Sequence, residues 1–141
     1  MAELNQSKLL ISIATYNEHD NLRPLVESIK NFMPLAHILV VDDNSPDGTG
    51  NLADVLTQEL SNLHAIHRTG KLGLGTAIVA GMKFAINNDF DYFMSIDADF
   101  SHHPRYIPAI FQGMAEKDVM IGSRYIPGGG TKNWPFSRKV I

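Results

Sequence analysis

The 141-residue sequence has no cysteine. That excludes disulfides, thiolate nucleophiles and cysteine-based zinc sites, and it is compatible with a reducing cytosol. No run approaches the ~18 consecutive apolar residues that a membrane span requires. The opening MAELNQSKLL lacks the basic segment and apolar stretch of a secretory leader, so any membrane contact by these residues is expected to be peripheral. Excess positive charge is missing too: 12 Lys and Arg against 15 Asp and Glu give a formal charge of −3. No broad field then draws the chain to nucleic acid, and any phosphate must be held locally. Neither G-x-S-x-G nor H-E-x-x-H occurs, which argues against common hydrolase machinery.

What is present suffices for a packed core: 44% hydrophobic and 19% charged residues. The length fits one domain over 1–141. Lys8–Ala14 (KLLISIA) reads as a strand buried on both faces. Leu22, Leu25, Val26, Ile29 and Phe32 then recur at helical spacing, with Asn21 as a candidate cap, Pro24 in the first turn and Pro34 as the stop. His37–Val41 reads as a second strand, ending in DDNSPDGTG, and Leu52, Val55, Leu56 and Leu60 give a second helix. Leu63–His67 is a third strand, RTGKLGLG a loop, and Thr76–Asn87 a helix rich in small residues. Asp91–Ile96 reads as a further buried strand, DADFSHHP as a loop, and Pro104 opens a helix carrying Ile107, Ile110, Phe111 and Met114. Val119–Ile121 completes the set as a short strand. Five strands alternating with four helices predict an α/β fold, a mainly parallel sheet with helices on both faces. The tail GSRYIPGGGTKNWPFSRKVI reads as a loop leading towards a helix near Ser137.

Ligands of open parallel sheets bind beyond the carboxyl ends of the strands. All five polar segments fall there: Tyr16-Asn17-Glu18, Asp42-Asp43, Arg68 to Gly75, Asp97-Ala98-Asp99 and Gly122-Ser123-Arg124. Asp97 and Asp99 at a strand end either serve Mg2+ or Mn2+ together with phosphate oxygens, or divide into a cap for the helix near Pro104 and a solvated carboxylate. For Asp42 and Asp43 a hydrogen bond to a base or ribose competes with an ordinary acidic turn. For Asp47 and Thr49 the helix N-cap is favoured. The stretch GKLGLG is neither the dinucleotide fingerprint nor a P-loop; it reads as a flexible loop bringing backbone N–H groups and a helix start towards an anion. Arg68, Lys71, Arg124 and Arg138 are the cations for phosphate contacts. His102 and His103 are weak metal-ligand candidates, because adjacent side chains diverge.

Taken in order, SIATYNEHDN, VVDDNSPDGT, RTGKLGLGTA, SIDADFSHHP and GSRYIPGGG with NW and a later Arg resemble the family 2 glycosyltransferases of GT-A fold, and within them the polyprenyl- and dolichyl-phosphate mannosyltransferases. The resemblance runs from about Leu9 to the end, and the family is expected to continue past Ile141, so the chain is expected to be C-terminally truncated. It implies transfer of mannose from GDP-mannose to a polyprenyl phosphate, with Mg2+ or Mn2+ as cofactor; the expected location is the cytoplasm, either free or at the cytoplasmic face of a membrane. It further implies a nucleotide-sugar-binding set of Ala14, Tyr16, Glu18, Asp43, Lys71 and Asp97, a metal pair of Asp97 and Asp99, and a catalytic set of Asp99, Arg124 and Arg138. Two departures touch details: Ala14 stands where the first motif often has Pro, and Ser101 where some members have Gln.

The implied reaction is an inverting, in-line displacement. A lipid phosphate is largely ionised at pH 7 and needs no dedicated base, so positioning and charge neutralisation carry it. Two rivals stand beside this reading. One is a receiver-type signalling domain, suggested by HILVVDDN and a later strand-end Asp97. The other is a nucleotide-sugar-binding fragment without transfer.

Overall fold

A computed structural model describes residues 4–130 of the chain. Four parallel strands, β1 (Leu9–Thr15), β2 (His37–Asp42), β3 (Leu63–His67) and β4 (Tyr92–Asp97), form one sheet in the order β3-β2-β1-β4. The crossovers are α1 (His19–Phe32), α2 (Thr49–Glu59) and α3 (Leu74–Asn87), while a 3-10 turn at Pro104–Tyr106 and α4 (Ile107–Gly113) follow β4. The expected doubly covered parallel sheet is therefore observed.

Period-two alternation along β1 explains the layering. Leu9, Ile11 and Ile13 join Ile38 and Val40 of β2 under the apolar stripes of α1, α2 and α4, including Leu22, Val26, Leu56 and Phe111. Leu10, Leu39 and Val41 face the other way, against Ala77 and Ala85 of α3. That helix lies close to the sheet because its contact residues are small: a Cβ added to Gly81 would sit 2.6 Å from Ser12 Oγ and 3.0 Å from the Phe93 ring. A close-packed interior has no room for that atom unless the Ser12 and Phe93 side chains shift.

Several expectations are corrected. Val119–Ile121 is not a strand; Val119 and Ile121 are exposed, and among the described residues no sheet partner holds them. In consequence β4 is an edge strand rather than a buried one, with Ser95 exposed and Tyr92, Phe93 and Met94 half-buried. Helix α1 starts at His19, two residues before Asn21, so Asn21 lies within it and Pro24 is its sixth residue, outside the first turn. The missing N–H of Pro24 would have served the carbonyl of Asp20, and both residues are exposed, where water can replace it. Phe32 and Val55 face solvent, and Met33 takes the core position at the end of α1. Pro34 does follow the last turn, as expected. Among the described residues no helix is long and apolar enough to cross a membrane.

Candidate functional site

Registry places the polar strand ends side by side. Ala14 of the central strand pairs with Val41 on one side and Asp97 on the other, and Thr15 pairs with Asp42. Asp42 and Asp97 thus sit two strands apart, roughly 10 Å at the usual spacing.

Adjacent residues at a strand end point in opposite directions, and Asp42 and Asp43 divide accordingly. Asp42 turns inward and is 2% exposed. Its Oδ1 accepts hydrogen bonds from Thr15 Oγ1 at 2.9 Å and Ser45 Oγ at 2.6 Å, and its Oδ2 accepts from the Ser45 amide at 3.0 Å. Asp43 faces the loop after β3. Its Oδ2 accepts from the Leu72 amide at 3.0 Å, and Arg68 Nε lies 2.8 Å from Oδ1, with both side chains 8% exposed. That N–H is not aimed along the short line, so charge holds the pair and both atoms lack a well-directed partner. Arg68 Nη2 also donates to Thr76 Oγ1 at 2.8 Å, tying the pair to the first turn of α3. Above this, Lys71 Nζ stands 4.2 Å from the centre of the Tyr16 ring, a cation–π contact. Tyr16, Asp43 and Lys71 are thus brought together, and the glycine-rich loop does carry a backbone N–H to the rim, though to the Asp43 carboxylate.

Asn17 follows Tyr16 in the left-handed region at φ 59°, and Asn44 follows Asp43 there at φ 57°. Asn tolerates this conformation better than most residues. Three successive amides of the first segment are taken by side chains of the second: Asn17 N–H by Ser45 Oγ at 3.0 Å, Glu18 N–H by Thr49 Oγ1 at 3.0 Å and His19 N–H by Asp47 Oδ2 at 3.1 Å. The N-cap of α2 is Gly48, not Asp47 or Thr49 as expected, because the left-handed turn at φ 90° falls there and makes Thr49 the first helical residue; Asp47, one residue before the cap, still accepts from the Thr49 amide through Oδ1 at 3.0 Å and so serves the starts of two helices at once. Burial alone would raise its carboxyl group, but the hydrogen bonds from Thr49 and His19 prevail and hold it below the ordinary value. Glu18 Oε2 accepts from Asn21 Nδ2 at 2.8 Å.

On the β4 side Asp97 is half-buried and Asp99 exposed. Asp99 Oδ1 accepts from the Ser101 amide at 2.9 Å, and Ser101 Oγ lies 3.4 Å from Asp97 Oδ2. The Ser101 hydroxyl and amide hold the Asp99 carboxyl below its ordinary value, against a smaller effect of burial. Between them Phe100 adopts φ 61°, a region that bulky side chains avoid, while its ring packs on the main core. The cap before Pro104 is His103, whose Nδ1 accepts from the Arg105 amide, so neither Asp plays that part. His102 Nδ1 accepts from the Asp97 amide at 3.3 Å. These bonds turn both histidines to local duties.

Two carboxylates one residue apart match the donor set that Mg2+ or Mn2+ takes from a protein, the other positions being filled by water and phosphate oxygens. Among the described residues no group of three or more His, Asp or Glu is placed to hold a metal alone. Arg124 lies half-buried in a turn and is not set by a strand end. Arg138 lies outside the described residues. The sequence reading missed Thr15, Asp42 and Ser45 as one hydrogen-bonded unit. The only available signal was that neighbouring strand residues must diverge, and which Asp faces which way is decided by register.

The family model described as Glycosyl transferase family 2 matches residues 10–140. A polyprenol monophosphomannose synthase from Mycolicibacterium smegmatis is 43% identical over 136 residues, covering 95% of this chain and 51% of the relative. An undecaprenyl-phosphate mannosyltransferase from Micrococcus luteus is 42% identical over 134 residues, covering 95% and 55%. The chain therefore spans about half the length of these curated relatives. Among solved structures, a glucosyl-3-phosphoglycerate synthase from Mycobacterium tuberculosis in complex with Mn2+, uridine diphosphate and glucosyl-3-phosphoglycerate superposes with TM-score 0.57 at 21% identity, covering 78% of this chain and 40% of that one. A mannosyltransferase from Pyrobaculum calidifontis in complex with GDP-Man and Mn2+ gives TM-score 0.50 at 20% identity, covering 55% and 24%. These likenesses show a shared fold.

Proposed function

The chain belongs to glycosyl transferase family 2, and from that premise we propose that it takes part in moving mannose from GDP-mannose to a polyprenyl phosphate. The observation that carries this reading is 43% identity, across 95% of the chain, to a polyprenol monophosphomannose synthase. The rim geometry supports it. Tyr16, Asp43 and Lys71 gather beyond the ends of β1 and β2, beside Ala14 on β1, and with Glu18, at the start of α1, form the nucleotide side. Asp97 and Asp99 form the metal side, with Asp97 also reached by the donor.

The division of labour follows from the residues. Tyr16 offers a flat face and Lys71 a positive charge over it, suited to an aromatic base or a phosphate arriving from solvent. Asp43 is an acceptor for N–H groups, now engaged by Leu72 and Arg68. When bound, the divalent cation supplies neutralisation of charge developing on the departing diphosphate. Asp97 and Asp99 would hold it, and the hydrogen bonds from Ser101 keep Asp99 ionised. Arg124 and Arg138 are assigned to phosphate contacts, with Arg138 resting on the sequence motif alone. The acceptor phosphate is itself an anionic nucleophile, so no general base is assigned. We place the reaction at the cytoplasmic face of a membrane, reached by peripheral association, because the acceptor is a lipid.

Calorimetric titration with GDP and with UDP, each with Mn2+ and again with EDTA, tests the reading. Metal-dependent binding that favours GDP is expected; equal binding of both nucleotides, or none, would overturn the donor assignment. A transfer assay with polyprenyl phosphate then separates the full reaction from donor binding alone. The receiver-type alternative is set aside by the family match over residues 10–140.

A further inference from the structure

We infer that Ser45, Asp47 and Thr49 are positioning residues for the donor, fixing the shape of the segment that carries Tyr16 and Glu18. The inference rests on the donor reading above. It starts from an imbalance: a helix N-terminus leaves its first amides without partners inside the helix, and the chain just before α1 also takes the left-handed turn at Asn17. Nothing within residues 16–19 satisfies the amides of Asn17, Glu18 and His19. Their three acceptors come from the loop between β2 and α2 (Ser45 and Asp47) and from the first residue of α2 (Thr49), at 3.0, 3.1 and 3.0 Å.

The acceptors are themselves fixed. Ser45 is held by the buried Asp42 carboxylate through both its hydroxyl and its amide. Thr49 is fully buried, and both its amide and its hydroxyl donate to Asp47 Oδ1. Gly48, at φ 90°, provides the left-handed turn between Asp47 and Thr49 that lets both side chains point at the same segment. The network also reaches Asp43, because Asp42 is its chain neighbour and the Asp43 amide donates to the Thr15 carbonyl at 3.0 Å. One set of hydrogen bonds thus sets the relative positions of Tyr16, Glu18 and Asp43, although none of its three acceptors belongs to the proposed donor-binding set. Side chains held this way lose little freedom when the ligand arrives, which is where the affinity gain of preorganisation lies.

The test compares Ser45→Ala, Thr49→Val and Thr49→Ser with the unmodified chain, reading GDP-mannose affinity in the presence of Mn2+ by calorimetry and thermal stability in parallel. Loss of either hydroxyl is expected to weaken GDP-mannose roughly five- to tenfold, the scale of one lost hydrogen bond. Thr49→Ser, which keeps the oxygen, is expected to restore affinity to within about twofold. A capping role confined to stability would lower the melting temperature and leave the affinity of the folded chain unchanged; that result overturns the inference. Ser45 is only half-buried, so Ser45→Ala remains informative should Thr49→Val fail to fold. If the unmodified chain binds no GDP-mannose, the donor reading falls and the inference with it. If it binds and the variants bind equally well, only the inference falls.

Discussion

The two halves of the rim are built differently although both end in paired carboxylates. At the end of β2, Asp42 is 2% and Asp43 6% exposed, and both carboxylate oxygens of Asp42 are engaged by Thr15 or Ser45. At the end of β4, Asp97 is half-buried, Asp99 is exposed, and their partners come from the next few residues of the same loop. The contrast follows from topology. β2 is flanked by β1 and β3, so its carboxylates leave water and need internal donors. β4 is an edge strand, and its carboxylates keep access to solvent. The buried half therefore supplies a fixed frame, and the open half supplies oxygen donors that a cation can reach without first breaking the fold.

The comparison breaks most visibly at Asp99. Asp99→Ala is expected to lower metal-dependent mannosyl transfer by about a thousandfold or more while the melting temperature stays close to that of the unmodified chain; a variant with full activity would remove the metal role. The opposite pattern is expected of Asp42→Ala. Losing the carboxylate strands the buried Thr15 hydroxyl and the donors of Ser45, for a loss of about 3 kcal/mol on chemical denaturation. Acidification should separate the halves more gently. The Asp47 carboxyl is held below its ordinary value, so its contribution is full above about pH 4 and is lost as pH falls further. Protection of the His19 amide against hydrogen exchange, taken relative to its intrinsic rate at each pH, should fall there. The smallest effect lies at the opposite end of the sheet, where His37 and His64 stack with rings 5.3 Å apart and nitrogens 3.0 Å apart. Burial lowers both, and for His37 the neighbouring His64 and Lys30 add to it. The neutral forms are thus favoured in the fold, and stability should decline as pH drops below about 6.5. His64→Gln should flatten that dependence.

Much of this was legible because period two and period 3.6 differ so plainly in this chain. KLLISIA, HILVV and the Leu22–Ile29 spacing announce a buried strand or an amphipathic helix, and β1 to β4 lie where those runs stand. The misses share a cause: they depend on neighbours that a local pattern cannot see. Val119–Ile121 has two β-branched residues in a short apolar run, but a strand exists only against a partner. The start of α1 was read from Asn21 as a cap, whereas the first amides are capped by Asp47 and Thr49, some thirty positions away in the chain. In the site, Asp97 and Asp99 stood out because two acidic residues at a strand end have no packing use. The separation of Asp42 from Asp43 was invisible, since a one-residue change of register would exchange their roles.

Phe100 carries a consequence for anyone who would engineer this fold. Its left-handed backbone is a natural target for replacement by glycine, and by conformational preference alone that change relieves about 1 kcal/mol of strain or somewhat more. Yet the ring that dislikes this backbone also anchors it, because it is seated on the core between Asp99 and Ser101. Phe100→Gly would release the local conflict and, with the same stroke, free the Asp99 turn to wander. The lost core contact outweighs the strain relieved, so the substitution that backbone preference alone recommends is expected to lower the melting temperature as well as loosen the turn.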